Sequence, residues 1–185
     1  MTSLARRLTI AAAGGALVAL ALPASAQAAS APITTISVGG TPTGTVVANG
    51  RAYVANESLN EVHVIDLASG KLLTNVSVGT RPQPPAASPD GSKVFVSCGD
   101  NTLRVISTSS NTQVASVPVG NGPGKPIASN TRVYVSNVNS NEVSVVDTAS
   151  NTVIATIPVG TNPTTGVFGT GSQYQGFSKN LYVAN

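Results

Sequence analysis

The chain has almost none of the side chains from which reactive sites are usually built: one cysteine (Cys98), one histidine (His63) and no tryptophan in 185 residues. A single cysteine excludes a disulfide framework within the chain. One Cys and one His exclude a zinc site of clustered thiolates and imidazoles. Without tryptophan, and without a basic run interleaved with aromatics, there is no surface on which nucleic-acid bases would stack. No nucleophile-elbow or Walker-type phosphate loop occurs among the many Ser, Thr and Gly. Charged residues are only 9% of the chain. Disorder is nevertheless excluded, because Val and Ile recur in short, evenly spaced runs.

The first 28 residues read as an export signal. Arg6 and Arg7 form a positive start, Leu8 to Leu22 is an uncharged Ala/Leu-rich run of 15 residues, Pro23 interrupts it, and Ala26-Gln27-Ala28 is a small-x-small cleavage site. The run is shorter than the ~18 residues a spanning helix needs, so no membrane span is expected after cleavage. Export by the general secretory route or by a twin-arginine signal both fit Arg6-Arg7. The expected location is secreted or otherwise extracytoplasmic, in a periplasm or at the cell surface. The signal holds two of the ten Lys/Arg and none of the seven Asp/Glu, which leaves residues 29–185 at a formal +1. The high isoelectric point therefore belongs largely to the signal and does not point to nucleic acid.

The remainder repeats. Val-Gly-x-x-Pro occurs at Val38, Val78, Val119 and Val159, spaced by 40, 41 and 40 residues. An aromatic-Val-small-polar motif follows, at Tyr53-Val54-Ala55-Asn56, Phe95-Val96-Ser97-Cys98, Tyr134-Val135-Ser136-Asn137 and Tyr182-Val183-Ala184-Asn185. A third motif runs Val62-His63-Val64-Ile65-Asp66, Leu103-Arg104-Val105-Ile106-Ser107 and Val143-Ser144-Val145-Val146-Asp147. The runs are β-branched, four to eight residues long and bounded by turn residues, so they read as strands. Ser88-Pro89-Asp90-Gly91-Ser92 is a tight turn with Gly at a positive φ, and Asn60, Asn101 and Asn141 stand where left-handed geometry is tolerated. In Val-Gly-x-x-Pro, Gly releases the chain and Pro cannot pair in a ladder. Adjacent apolar pairs such as Val64-Ile65 place hydrophobic groups on both faces, which suits small sheets covered on both sides. Four strands per roughly 40 residues is the period of a propeller blade. The expected fold is all-β: a partial or small β-propeller of about 3.5 repeats, at about 43–79, 84–120, 125–160 and 164–185, with residues 33–38 as a lone outer strand.

These motifs, with the Ser-Pro-Asp-Gly turn and the Ile-Pro-Val-Gly ending, resemble the YVTN-type β-propeller repeat of bacterial exported proteins and archaeal surface-layer proteins. The resemblance covers Ile33 to Asn185 and implies fold rather than activity. Relatives of this type usually close as seven blades, about 280 residues at this period. A truncated copy of a longer propeller, a four-blade ring and a ring shared by two chains through open blade edges are all compatible with the sequence. The fourth repeat also carries extra residues within Gly166 to Asn180, including Tyr174 and Phe177. Such an insertion reads equally as a binding loop or as repair of a terminal repeat.

Candidate sites follow from the repeat. Tyr53, Phe95, Tyr134 and Tyr182 are structural repeat positions, as are Asp66 and Asp147, whose carboxylates fit caps of the following turn. His63 aligns with Arg104 and Ser144, a variable blade position, and Cys98 with Asn56 and Asn137, a strand end. Glu57, Glu61, Asp100 and Glu142 fall between the second and third strands of a repeat. Arg81 and Lys125 fall between one repeat and the next. In propellers these loops share a face, so the six residues are candidate ligand contacts on a channel rim. No catalytic residue, metal ligand or cofactor is assigned. The expected role is a non-enzymatic module that binds an unidentified protein or small molecule. The alternative is a lactonase-like hydrolase or lyase, a reading weakened because the loops between repeats carry no carboxylate.

Overall fold

The computed structural model describes residues 8–11, 17–19, 34–164, 166–168 and 181–184. Strands β1 (Leu8–Ala11), β2 (Leu17–Ala19) and β3 (Thr34–Ser37) form one sheet, with β3 parallel to β1. Three four-stranded antiparallel sheets follow. Blade 1 is β4 (Pro42–Ala48), β5 (Arg51–Asn56), β6 (Glu61–Asp66) and β7 (Lys71–Ser77). Blade 2 is β8 (Ala86–Ala87), β9 (Lys93–Cys98), β10 (Thr102–Ser107) and β11 (Thr112–Pro118). Blade 3 is β12 (Ile127–Ala128), β13 (Arg132–Asn137), β14 (Glu142–Asp147) and β15 (Thr152–Pro158). A fourth unit has two strands, β16 (Gly166–Phe168) and β17 (Leu181–Val183). Its extra residues from 169 to 180, like the cleavage site at 26–28, lie outside the described residues.

The strand expected to stand alone at 33–38 does not. Thr34–Ser37 pairs with Leu8–Ala11, inside the run read as the export signal. An unpaired edge of β3 offers free N–H and C=O groups, and a nearby apolar segment can take them up. Cleavage after Ala28 would reopen that edge.

In each blade the two middle strands are buried on both faces. Tyr53, Val54, Val64 and Ile65 of blade 1 are fully buried, as are Val94, Phe95, Val105 and Ile106 of blade 2. Alternate side chains meet opposite neighbours. Tyr53, Val62, Val64 and Val76 pack with Val94, Val96, Cys98 and Ile106 between blades 1 and 2. Phe95, Leu103, Val105 and Val117 pack with Val133, Val135 and Val146 between blades 2 and 3. Val38 and the partly buried Ile36 cover Ala52, Val54 and Ile65 on the far side of blade 1. The innermost strand has seven residues in blade 1 and two in blades 2 and 3. Pro84 and Pro85, and likewise Pro126, remove ladder donors just before β8 and β12.

Turns follow local chemistry. Asn49-Gly50 joins β4 to β5 with φ of 46° and 70°, the two positive angles a two-residue hairpin of matching twist needs. On the same side of the molecule, basic residues at the start of the second strand bind the next blade. Arg51 donates to the Thr108 carbonyl and lies by Asn111, whose Oδ1 also accepts from the Tyr53 hydroxyl at 2.9 Å. Lys93 donates in the same way to the Thr148 carbonyl and Asn151.

Candidate functional site

The loops between β5 and β6, β9 and β10, and β13 and β14 meet the linkers between blades on one face. Asn60, Asn101 and Asn141 have φ of 56°, 60° and 53°. Their Oδ1 atoms accept from the backbone N–H of Arg81, Gly122 and Asn162 at 3.0, 3.1 and 3.0 Å. The asparagine just before each third strand thus pins the linker 21 residues on. The pinned residue is itself left-handed, and at Arg81 (φ 48°) this falls on a bulky side chain that precedes a proline. Such a conformation is costly for any residue but Gly or Asn.

The six rim residues share this face without converging. Asp100 accepts from Arg104 Nη2 at 2.7 Å and from the Thr102 hydroxyl at 2.6 Å. Burial pushes its carboxyl up, but these donors outweigh that and hold it below the ordinary range. Glu142 accepts from Ser140 at 3.2 Å, and Glu61 lies 3.5 Å from His63 Nε2. His63 is buried, and neither ring nitrogen has a hydrogen bond among the described residues. Arg81 lies over Gly99, while Lys125 is exposed and Glu57 half-buried. Among the described residues no three His, Cys, Asp or Glu side chains gather as metal ligands would.

Cys98 is fully buried in the cluster between blades 1 and 2. Burial pushes its thiol up to about 11, so it is protonated and unreactive at neutral pH. Iodoacetamide is therefore expected to label Cys98 only under unfolding conditions; native-state labelling at the rate of a free thiol would contradict the packing. The strand-end equivalents differ: Asn56 donates to the Gly39 carbonyl at 2.8 Å, and Asn137 to the Ser144 hydroxyl at 2.8 Å. Asn56 heads one of two glycosylation sequons, but its side chain is buried and bonded, whereas Asn75, which heads the other, is exposed.

Asp66 Oδ1 accepts from the backbone and hydroxyl of Ser69, both at 2.7 Å. Asp147 Oδ1 accepts from the N–H groups of Ala149 and Ser150 at 3.0 and 2.9 Å. Asp90 ties Ser88 and Ser92 in the Pro-Asp-Gly turn. The Ser69 hydroxyl, the Ser150 N–H and the Ser88 hydroxyl are the leading causes that hold these three carboxyls below their ordinary range. Folding therefore favours the ionised form. The stability they add is present above the unfolded carboxylate pKa of about 4 and is lost as pH falls through the lower folded values. Thermal melts are expected to be level from pH 7 to about 5 and to drop below about 4. The double variant Asp66→Asn, Asp147→Asn should show a shallower acid drop; an unchanged profile would remove the turn caps from the account.

A second set of surface residues was not anticipated from sequence. The pairing of the third with the fourth strand shifts register between Val64 and Ile65, Val105 and Ile106, and Val145 and Val146. The extra residue on the outer strand is Leu73, Val114 and Ile154 in turn, and these are 48%, 51% and 50% exposed. The signal lay in the repeat itself, since all three are apolar at one position of the period. A bulge on an outer strand spoils its edge for further pairing; it does not require the bulged residue to be apolar.

No protein-family model matches the chain, and no curated protein matches it in sequence. Solved structures do. Hydrazine synthase from Kuenenia stuttgartiensis superposes with a TM-score of 0.61 at 19% identity, over 66% of this chain and 37% of that one. Apo AztD from Citrobacter koseri does so with a TM-score of 0.58 at 14% identity, over 86% of this chain and 48% of that one. The chain thus spans less than half the length of either. At these identities the likeness is one of fold, and together with the three stacked four-stranded sheets it makes the described part of this chain a partial β-propeller.

Proposed function

We propose that this chain is a non-enzymatic binding module that works outside the cytoplasm and uses the outer strands of its blades as a protein-binding surface. The observation that carries this reading is the recurrence of an exposed large apolar side chain at the bulge of each outer strand: Leu73, Val114 and Ile154. Leu72 and Val153 extend the surface beside the first and third. These side chains expose apolar area to water at the same position of every complete blade, and exposed apolar surface of this kind can mark interaction sites. The side chains suited to acid–base or nucleophilic chemistry are meanwhile bound into the repeat, as with Asp66, Asp90, Asp147 and Cys98. The polar rim is a weaker candidate, because Asp100 and Glu142 are already bonded within their own blades.

The test is to apply labelled protein to intact cells of the source and to compare the triple variant Leu73→Ser, Val114→Ser, Ile154→Ser. Saturable binding that the variant loses, at an unchanged melting temperature, is expected. Binding that is unsaturable, or equal in the folded variant, would overturn the reading. N-terminal sequencing of the extracytoplasmic fraction should begin near Ala29; recovery of intact Met1 protein from the cytoplasm alone would overturn the export part.

A further inference from the structure

Among the described residues an Asn or Asp stands directly before glycine at Asn49-Gly50, Asp90-Gly91 and Asn121-Gly122. At such a pair the glycine nitrogen can attack the side-chain carbonyl carbon and close a five-membered imide, because glycine has no side chain to crowd the approach. Two of the three nitrogens are already engaged. The Gly91 N–H donates to the Ser88 carbonyl at 2.8 Å, and the Gly122 N–H donates to Asn101 Oδ1 at 3.1 Å. Their side-chain carbonyls are held as well. The Asp90 carboxylate accepts from Ser88 and Ser92, which keeps it ionised and a poor electrophile. Asn121 Oδ1 accepts from Asn139 Nδ2 at 3.4 Å. Asn49-Gly50 differs by construction. In a two-residue hairpin the flanking residues, here Ala48 and Arg51, pair across the turn, and the N–H of the second turn residue is left over. No hydrogen bond from the Gly50 N–H or the Asn49 side chain occurs among the described residues. Both residues are exposed, and a Cβ on Gly50 would meet nothing within 4 Å, so the turn has room for the ring.

We propose that Asn49 is a site of spontaneous deamidation, at which the first turn of blade 1 converts to aspartate and isoaspartate while the other two pairs stay intact. Ring closure needs Asn49 to leave its left-handed φ of 46°, a local opening available to an exposed turn. The Gly50 nitrogen gives up its proton to water and bonds to Asn49 Cγ; the Cγ–Nδ2 bond breaks, and ammonia leaves with a proton returned by water. A water molecule then opens the imide at Cγ, giving aspartate, or at the Asn49 backbone carbonyl carbon, giving isoaspartate. Water enters, ammonia leaves, and nothing is oxidised or reduced. Isoaspartate adds a carbon to the backbone of the turn and disturbs the pairing of Ala48 with Arg51. Arg51 is the residue that reaches the Thr108 carbonyl and Asn111 of blade 2, so the change loosens the contact between the first two blades on that side. The site is independent of the outer-strand binding surface.

Peptide mapping by mass spectrometry during incubation of the full chain in mildly alkaline buffer follows each pair. In the folded protein Asn49 is expected to deamidate at least about fivefold faster than Asn121, the slowing imposed by a hydrogen bond that must break first. In urea the two Asn-Gly pairs should react at equal rates. Asn101→Gly keeps the left-handed conformation (φ 60°) at that position and removes the Oδ1 that holds Gly122. It should speed Asn121 and leave Asn49 unchanged; should this variant lower the melting temperature, the comparison of folded with unfolded protein decides alone. Equal rates at Asn49 and Asn121 in the folded protein, or a faster Asn121, overturn the proposal. So does a ratio that persists in urea, since it would belong to the neighbouring sequence and not to the fold, or a folded Asn101→Gly protein in which Asn121 is no faster.

Discussion

Phe95→Ala is expected to cost about 3–5 kcal/mol, enough to lower the melting temperature of a chain this size by roughly 10 °C. Phe95 is fully buried between blades 2 and 3, against Leu103, Val105 and Val117 from its own blade and Val133, Val135 and Val146 from the next. Removing the ring leaves a cavity between two rigid sheets, each held by its own ladder, so the gap cannot collapse freely. Tyr53→Ala should be comparable, since the ring is equally buried between blades 1 and 2 and its hydroxyl also bridges to Asn111. Tyr134→Ala should cost less than half as much, because that ring is only partly buried. Equal losses at Phe95 and Tyr134, measured by denaturant or thermal unfolding, would contradict the difference in burial between these repeats.

The second large effect is expected at two glycines whose backbone angles look ordinary. Gly79→Ala and Gly120→Ala should each cost about 1–3 kcal/mol, as overpacking of a tight site does. A Cβ on Gly79 would come within 2.5 Å of Asp100 Oδ2 and 2.7 Å of Cys98 Cβ; on Gly120 it would come within 2.5 Å of Asn137 Nδ2, besides the Glu142 carboxylate. The sequence assigned these glycines the task of releasing the chain at the end of a strand. The structure gives a different reason: the end of the next blade's second strand and the acidic loop beyond it sit directly on the glycine. At Gly39 and Gly50 the relation is reversed. Both have positive φ, of 64° and 70°, with nothing within 4 Å of a Cβ, so alanine there should cost only the left-handed backbone penalty of about 1 kcal/mol. Urea unfolding of the four variants separates the causes. A cost at Gly79 and Gly120 no larger than at Gly39 would rule out the close approach.

Much of the fold was legible because the repeat states each strand several times. The second strand of each complete blade contains the aromatic-Val motif and ends with it at Asn56, Cys98 or Asn137, and the third ends at Asp66, Ser107 or Asp147, where the third motif ends. The weak alternation in Val64-Ile65 and Val145-Val146 matches strands buried on both faces. Features that depend on register were not legible. The bulges that expose Leu73, Val114 and Ile154 arise from a one-residue slip between two strands, and no single strand records it. The first strands of blades 2 and 3 are shorter than the pattern suggested because prolines crowd their starts. Of the candidate site, sequence could assign residues to loops between strands and between repeats. It could not show that Asp100 is held by Arg104 within its own blade, because that pairing depends on side-chain direction rather than spacing. The pairing of β3 with Leu8–Ala11 was hidden for another reason: the same residues satisfy the pattern of an export signal.

Hydrogen exchange read by mass spectrometry tests the central claim most directly, namely that the chain is built of stacked four-stranded blades at a period of about 40 residues. The amides of 51–66, 93–107 and 132–147 are expected to be the slowest, in three blocks separated by fast-exchanging turns, with the outer strands 71–77, 112–118 and 152–158 faster in every blade. Protection without that period, or slow exchange confined to one block, would contradict the account.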